Sequence, residues 1–327
     1  MHLRSFIRLA AHTQLLPVLE SGEETLVGGQ AVIEGVMMRS PHSYCVAVRK
    51  PGGELITEES PLPRVSEKYP AFKLPVLRGI GTLGQAMWLG VKALRFSANA
   101  SLDEGEAAKQ GNQKEIPGWM MAANLVFSFV FFIALYKLVP LGLTTLLQRY
   151  FPQLAGNIAF NVTDGVIRLI IFLGFLYMLS RWPDIHRVFE YHGAEHRVVF
   201  NFESGKPVNV ENAQSFVTWH PRCGTSFLLV VMILSTLVYM AIPVHSFGAK
   251  LAIRVLSLPL IVGLSYELIR FAAKRRNSLL ALLTAPGLWL QRITTQPPSD
   301  EQTAVAIRAL NGAMELEKAQ GGELVIA

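Results

Sequence analysis

Four long apolar segments in the second half of the chain constrain its fold more than any other feature. They run from about Trp119 to Val139, Val166 to Leu179, Thr225 to Val244 and Leu251 to Phe271. Each approaches the roughly 20 residues that a helix needs to cross about 30 Å of hydrocarbon. The second reaches that length if it begins near Ile158. Asn161 and Asp164 then fall in its outer end, and Asp164 is expected to pair with Arg168 one turn on. Charged residues make up only 17% of the 327, against about 25% in an ordinary globular chain. The expected fold is a mostly α, polytopic membrane protein. It has about four transmembrane helices within 119–271, with interfacial or re-entrant helices and a small N-terminal cytoplasmic β unit.

Positive charge orients this bundle. Lys92, Arg95, Lys109 and Lys114 precede the first span. Arg181, Arg187, Arg197 and Arg222 lie between the second and third, and Lys274, Arg275 and Arg276 follow the fourth. The other two loops carry only Arg149 and Lys250. The positive-inside rule puts both termini and the middle loop, 181–224, in the cytoplasm. These segments account for most of the net charge of +6, and no nucleic-acid motif accompanies it, so no nucleic-acid partner is expected. Two cysteines, Cys45 and Cys223, make no disulfide framework and fit a reducing compartment. The sequence sets no oligomeric state.

The remaining segments read as accessories. Residues 1–26 form a lead-in. Residues 27–70 form the β unit, with Ala31–Arg39 as one strand. Tyr44–Arg49 is a second strand, turning at Pro51-Gly52-Gly53 into a return strand at Leu55–Thr57. That unit is too short to bury a core alone and is expected to lean on the membrane part or on another subunit. Residues 74–97, interrupted by Gly79, Gly81, Gly84 and Gly90, read as an interfacial or re-entrant helix, with a fifth span as the alternative. Residues 278–294 are apolar but broken by Pro286-Gly287 and too short to span. Residues 299–320 read as a C-terminal helix opened by the capping box Ser299-Asp300-Glu301-Gln302. Its apolar positions are Val305, Ile307, Ala309, Leu310, Ala313, Met314 and Leu316.

The chemistry concentrates in the middle loop. His192 and His196 are four apart, so on a helix they share a face and can hold one metal ion. Glu195 points the same way, and His192-Gly193-Ala194-Glu195-His196 has the inverted zincin pattern H-x-x-E-H. His220 and Cys223 follow at a ligand-like spacing just ahead of the third span. Topology adds Glu267, one turn inside the end of the fourth span, as a ligand, a base or a partner of Arg222. Glu203 and Glu211 read as solvated loop residues, with a third metal ligand as the alternative. Two architectures compete for a divalent metal, zinc by its donors. His192, His196, His220 and Cys223 together close a structural tetrahedron. Three of them plus water make a catalytic site, with Glu195 as general base and Arg222 stabilising an oxyanion. The leading expectation is a metal-dependent hydrolase acting on a lipid-linked or membrane-protein substrate at the bilayer surface. A transporter or channel, and a scaffold with structural zinc, are the alternatives.

Three stretches carry a family resemblance. They are Gly28-Gly29-Gln30-Ala31-Val32-Ile33-Glu34-Gly35-Val36-Met37-Met38-Arg39, Tyr191-His192-Gly193-Ala194-Glu195-His196, and His220-Pro221-Arg222-Cys223-Gly224-Thr225-Ser226-Phe227. With Pro286-Gly287-Leu288-Trp289-Leu290-Gln291, they resemble the YqhQ-like family of bacterial membrane proteins. That family is a domain of unknown function, sometimes described as a predicted metal-dependent enzyme. The resemblance implies a bacterial inner membrane and one module made of the β unit and the His/Cys cluster. Gly28–Arg39 then packs on the site with Glu34 or Arg39 facing it, or serves only as a structural strand.

Overall fold

The computed structural model describes residues 27–63, 65–101, 118–220, 223–274 and 285–319. The lead-in at 1–26 lies outside these residues, as does 278–284 of the Pro-Gly segment. Four strands come first: β1 (Gly28–Val32), β2 (Gly35–Arg39), β3 (Ser43–Arg49) and β4 (Leu55–Pro61). The longer helices follow as α1 (Leu77–Ala100), α2 (Gly118–Tyr150), α3 (Asn157–Ser180), α4 (Pro183–Glu203) and α5 (Val210–Gln214). After them come α6 (Gly224–Ala241), α7 (Phe247–Leu256), α8 (Leu258–Lys274), α9 (Ala285–Thr294) and α10 (Asp300–Ala319).

The strands form an antiparallel meander in the order β1-β2-β3-β4. The expected single strand Ala31–Arg39 is two strands, because Val32 pairs with Gly35 across Ile33-Glu34. Gly35 closes this turn, but neither of its two central residues is Gly, Asn or Asp, yet Glu34 takes φ 52°. Its carboxylate is held there by Arg187 of α4 and by the Tyr191 hydroxyl at 3.2 Å. A strained backbone of this kind persists when its surroundings over-determine it. The second hairpin turns where expected, with Arg49 opposite Leu55 and Gly53 at φ 87°.

Alternation along the strands sorts the sheet's two faces. Val36, Met38, Cys45 and Ala47 pack on α4 and α10. Met37, Tyr44, Val46 and Val48 pack on Leu89 and Ala93 of α1. The β unit therefore leans on helices of its own chain, with no need of a second subunit. Each such side chain, fully buried, contributes about 1.5–3 kcal/mol. The capping box of α10 forms as read: Ser299 N–H donates to Gln302 Oε1 at 2.8 Å and Gln302 N–H to Ser299 Oγ at 3.2 Å. Ala306, Ala309, Gly312 and Ala313 give α10 a thin face that lets it approach the sheet. A Cβ at Gly312 would meet Cys45 Sγ at 2.6 Å. The 74–97 segment is one continuous helix, α1, and a Cβ at Gly79 would press into the Tyr266 side chain of α8.

Among the described residues three helices, α2, α3 and α6, are long and apolar enough to cross a membrane, and α7 with α8 makes a fourth candidate bent by 48°. The sequence reading gives this last segment as one span, about Leu251 to Phe271. The break falls at Ser257 because Pro259, lacking an N–H, fits the first turn of a new helix and not the interior of an old one. Helix α2 runs past Val139 to Tyr150 through a π-helical stretch at Ala134–Leu138. Pro140 cannot bond the carbonyl four residues back, and the wider turn absorbs the defect. Pro286-Gly287 opens α9 instead of breaking it.

A buried polar network ties these apolar helices together. Asp164 accepts from Arg168, as expected, and also from Arg254 of α7. Arg254 Nη2 donates to Asn161 at 3.0 Å, and Arg168 Nη1 donates to Ser235 of α6 at 2.6 Å. Removing one partner from a buried charge cluster costs about 3–5 kcal/mol, whereas replacing the whole cluster with apolar side chains often costs little. Asp164→Ala should therefore lower the thermal midpoint of the detergent-solubilised protein sharply. The triple replacement Asp164→Leu/Arg168→Met/Arg254→Met should restore part of the loss. Melting of Asp164→Ala at the wild-type temperature would show that the network does not hold α3, α6 and α7 together.

Candidate metal centre

Trp182-Pro183 ends the run of α3 and starts α4, in which Pro183 occupies the first turn. Helical spacing then puts His192 and His196 on one face, with ring centroids 4.4 Å apart. His192 Nδ1 lies 2.8 Å from the Thr294 carbonyl oxygen, and His196 Nδ1 meets the Thr218 carbonyl oxygen. A carbonyl only accepts, so each Nδ1 carries the proton and each Nε2 keeps its lone pair. This is the outer-sphere arrangement that orients imidazoles toward a metal.

Both rings converge on Cys223, the residue that caps the N-terminus of α6. Its Sγ lies 3.4 Å from His192 Nε2 and also hydrogen-bonds His196. One donor atom from each of His192, His196 and Cys223 lies within 4.8 Å of the other two. Zn–N bonds of about 2.0 Å and a Zn–S bond of about 2.3 Å span donor separations of this order, so the residues fit the ion.

His220 stands beside this group, its ring centroid 5.7 Å from that of His196. Its Nε2 faces Glu203 Oε2 at 3.4 Å. Glu203, read as solvated, is thus drawn to the site because it lies two turns beyond His196 on the same helix. Gln291 of α9 holds the backbone of His220 from both sides: it accepts from the N–H at 2.6 Å and donates to the carbonyl at 2.9 Å.

Glu195 is buried between α4 and β1. Its Oε2 is 4.0 Å from His192 Nε2, and the Gly29 N–H donates to it. A Cβ on Gly29 would meet Glu195 Cγ at 2.9 Å, so this glycine is what lets the strand close on the carboxylate. Burial raises the Glu195 pKa, opposed by His192, His220, Gly29 and Arg39. Gly193 serves a similar end. Gln296 N–H donates to Phe189 O at 2.9 Å, and a Cβ at Gly193 would collide with the Gln296 carbonyl. The segment carrying Thr294 can cross α4 only over a glycine.

The other expected site residues go elsewhere. Glu267 binds Arg78 of α1, through Nε at 2.7 Å and Nη2, and accepts from the Val76 N–H at 3.2 Å. It does not join the donor group, because α8 packs against α1. Glu34 is engaged by Arg187 and Tyr191 as described, while Arg39 acts electrostatically on Glu195. Arg222 lies outside the described residues. Cys45 is a core residue whose thiol burial pushes up to about 12. Sequence reasoning gave no individual role to Gln291, Gly29 or the two threonine carbonyls. Gly29 and Gln291 entered only as members of the family motifs, and Glu203 had a further signal in its helical register with His196.

Burial lowers His196 and His220 to about 4 each. In the unfolded chain they take protons near 6.5. Between about 6.5 and about 4 the unfolded state thus binds more protons at these two residues, so their contribution to stability falls as pH falls through that window, opposed at its lower end by Glu195, whose raised pKa favours the folded state there. The thermal midpoint of the metal-free protein should follow this course. A midpoint flat across the window would contradict the buried neutral imidazoles.

Residues 74–316 match the family described as Protein of unknown function (DUF1385). The chain is 38% identical over 298 residues to Uncharacterized protein YqhQ of Bacillus subtilis (strain 168), covering 89% of this chain and 92% of that protein. No solved structure matches it. The resemblance read from the glycine, histidine and Pro-Gly motifs is borne out over nearly the whole length, and the chain belongs to the DUF1385, YqhQ-like family.

Proposed function

We propose that this chain is a metal-dependent hydrolase of the bacterial inner membrane, acting at its cytoplasmic surface, with zinc held by His192, His196 and Cys223. The observation that carries this reading is the pair of imidazoles whose Nδ1 protons are committed to backbone carbonyls while both Nε2 atoms approach one thiol. A set of two nitrogens and one sulfur suits zinc and disfavours magnesium or calcium. Three protein ligands, not four, are the mark of a catalytic zinc. The closed four-ligand alternative is weakened by the turn of His220 toward Glu203.

Zinc bound there supplies Lewis acidity that brings the ionisation of a water molecule near neutral pH. Glu195 does the proton work. Its Oε2 is the carboxylate atom close to the donor group. Its burial raises its proton affinity, so it can take a proton and hold it for a leaving group. The Gly29 N–H and the charge of Arg39 favour the ionised form and so return it to the receptive state. Three or four apolar helices, with basic residues gathered in the loop that carries α4, support the membrane placement and the inward-facing site.

Metal content and turnover separate the roles. Wild-type protein should retain zinc near one equivalent, and the His192→Ala/His196→Ala variant should retain almost none. Glu195→Gln should keep the zinc and lose at least about a hundredfold in hydrolysis of ester, amide or phosphoester probes. Equal zinc in wild type and the double variant would defeat the ligand assignment. Wild-type turnover by Glu195→Gln would remove Glu195 from the mechanism.

A further inference from the structure

The junction of α3, α4 and α9 encloses an open cleft of about 670 Å³, lined by Tyr177, Arg181, His186, Arg187, Glu190 and Arg292 among others. We infer that this cleft docks the headgroup of an anionic phospholipid as a bound lipid. The inference rests on the membrane-surface placement proposed above and does not require the metal.

Charge points to an anion. Three guanidinium groups and a single carboxylate line the cleft. Arg187 is neutralised by Glu34, and Glu190 accepts from Gln302 Nε2 at 2.8 Å and faces His186. Arg181 has no carboxylate partner among the described residues. It donates to the Tyr177 hydroxyl at 2.6 Å and stacks over that ring at 4.9 Å. Arg292 lies over the Trp289 ring at 5.2 Å. Two exposed guanidinium forks, each backed by an aromatic ring, match the geometry of phosphate oxygens.

The rim points to lipid and not to a soluble anion. Tyr177, Trp182 and Trp289 are exposed, and Met178 and Leu173 continue an exposed apolar surface up α3. Amphipathic rings at the end of an apolar helix mark the headgroup level of a bilayer, and basic pockets between helices at that level bind anionic headgroups. A phosphate at Arg181 and Arg292 leaves acyl chains free to lie along α3. The cleft joins the metal centre through α9, where Ile293, which lines the cleft, precedes the Thr294 carbonyl that orients His192.

Thermal midpoints of the full-length protein in an uncharged detergent test this. The probes are short-chain phosphatidylglycerol, phosphatidylcholine of equal chain length, and inorganic phosphate. Phosphatidylglycerol should raise the midpoint saturably, and the other two should not. Arg181→Gln/Arg292→Gln should weaken the apparent affinity by about tenfold or more, and Arg181→Lys/Arg292→Lys by less. Both arginines are exposed, and lipid-free midpoints of each variant, measured alongside, separate lost docking from lost stability. The His192→Ala/His196→Ala variant should keep the full response, so failure of the metal assignment leaves this test intact. An equal response to phosphatidylcholine would overturn the proposal. So would a response to inorganic phosphate that matches the lipid, or unchanged affinity in both arginine double variants.

Discussion

The orientation of two imidazoles packed 4.4 Å apart organises the centre of this protein. Each ring places its Nδ1 against a backbone acceptor. The acceptors are the carbonyls of Thr294, at the end of α9, and Thr218, in the segment leading to α6. Three helices distant in sequence are therefore set by one tautomer choice. Gln291 extends the same logic, fastening His220 to α9 through both backbone groups. With the Nδ1 protons committed, the Nε2 lone pairs are left facing Cys223.

The β unit completes the centre from the other side. Its outer strand β1 supplies the Gly29 N–H to Glu195, and the hairpin turn at Glu34 is locked to α4 through Arg187 and Tyr191. Helices α4 and α10 cover one face of the sheet and α1 the other. Strand β1 is thus held by packing on a core and not by the site it serves. The Asp164 network does for α3, α6 and α7 what the imidazole tautomers do for α4 and α9. In each case polar groups buried among apolar neighbours find fixed partners, and those partners define helix positions.

Periodicity carried much of this into the sequence. His192 and His196 at a spacing of four, the capping box at Ser299, the Asp164–Arg168 pair and the apolar helices were all legible because each depends on neighbours one turn away. Cys223 was legible from its position at the head of a long apolar helix. What could not be read depends on tertiary contact. The turn at Ile33-Glu34 has no turn residue at its two central positions, and only the pairing with Arg187 explains why Glu34 accepts positive φ. Glu267 was read as a ligand, a base or a partner of Arg222, and its partner, Arg78, lies nearly 200 residues away in sequence. Gly29 and Gly193 look like ordinary glycines until the Glu195 side chain and the Gln296 carbonyl are seen against them. Pro259 was a visible break that a hydropathy argument passed over.

The central claim is that His192, His196 and Cys223 bind one metal ion together. X-ray absorption at the zinc edge of the purified protein tests it most directly. The account predicts a first shell with nitrogen scatterers near about 2.0 Å and one sulfur near about 2.3 Å, the sulfur vanishing in Cys223→Ser. A shell without sulfur in the wild-type protein, or one unchanged by Cys223→Ser, would contradict it.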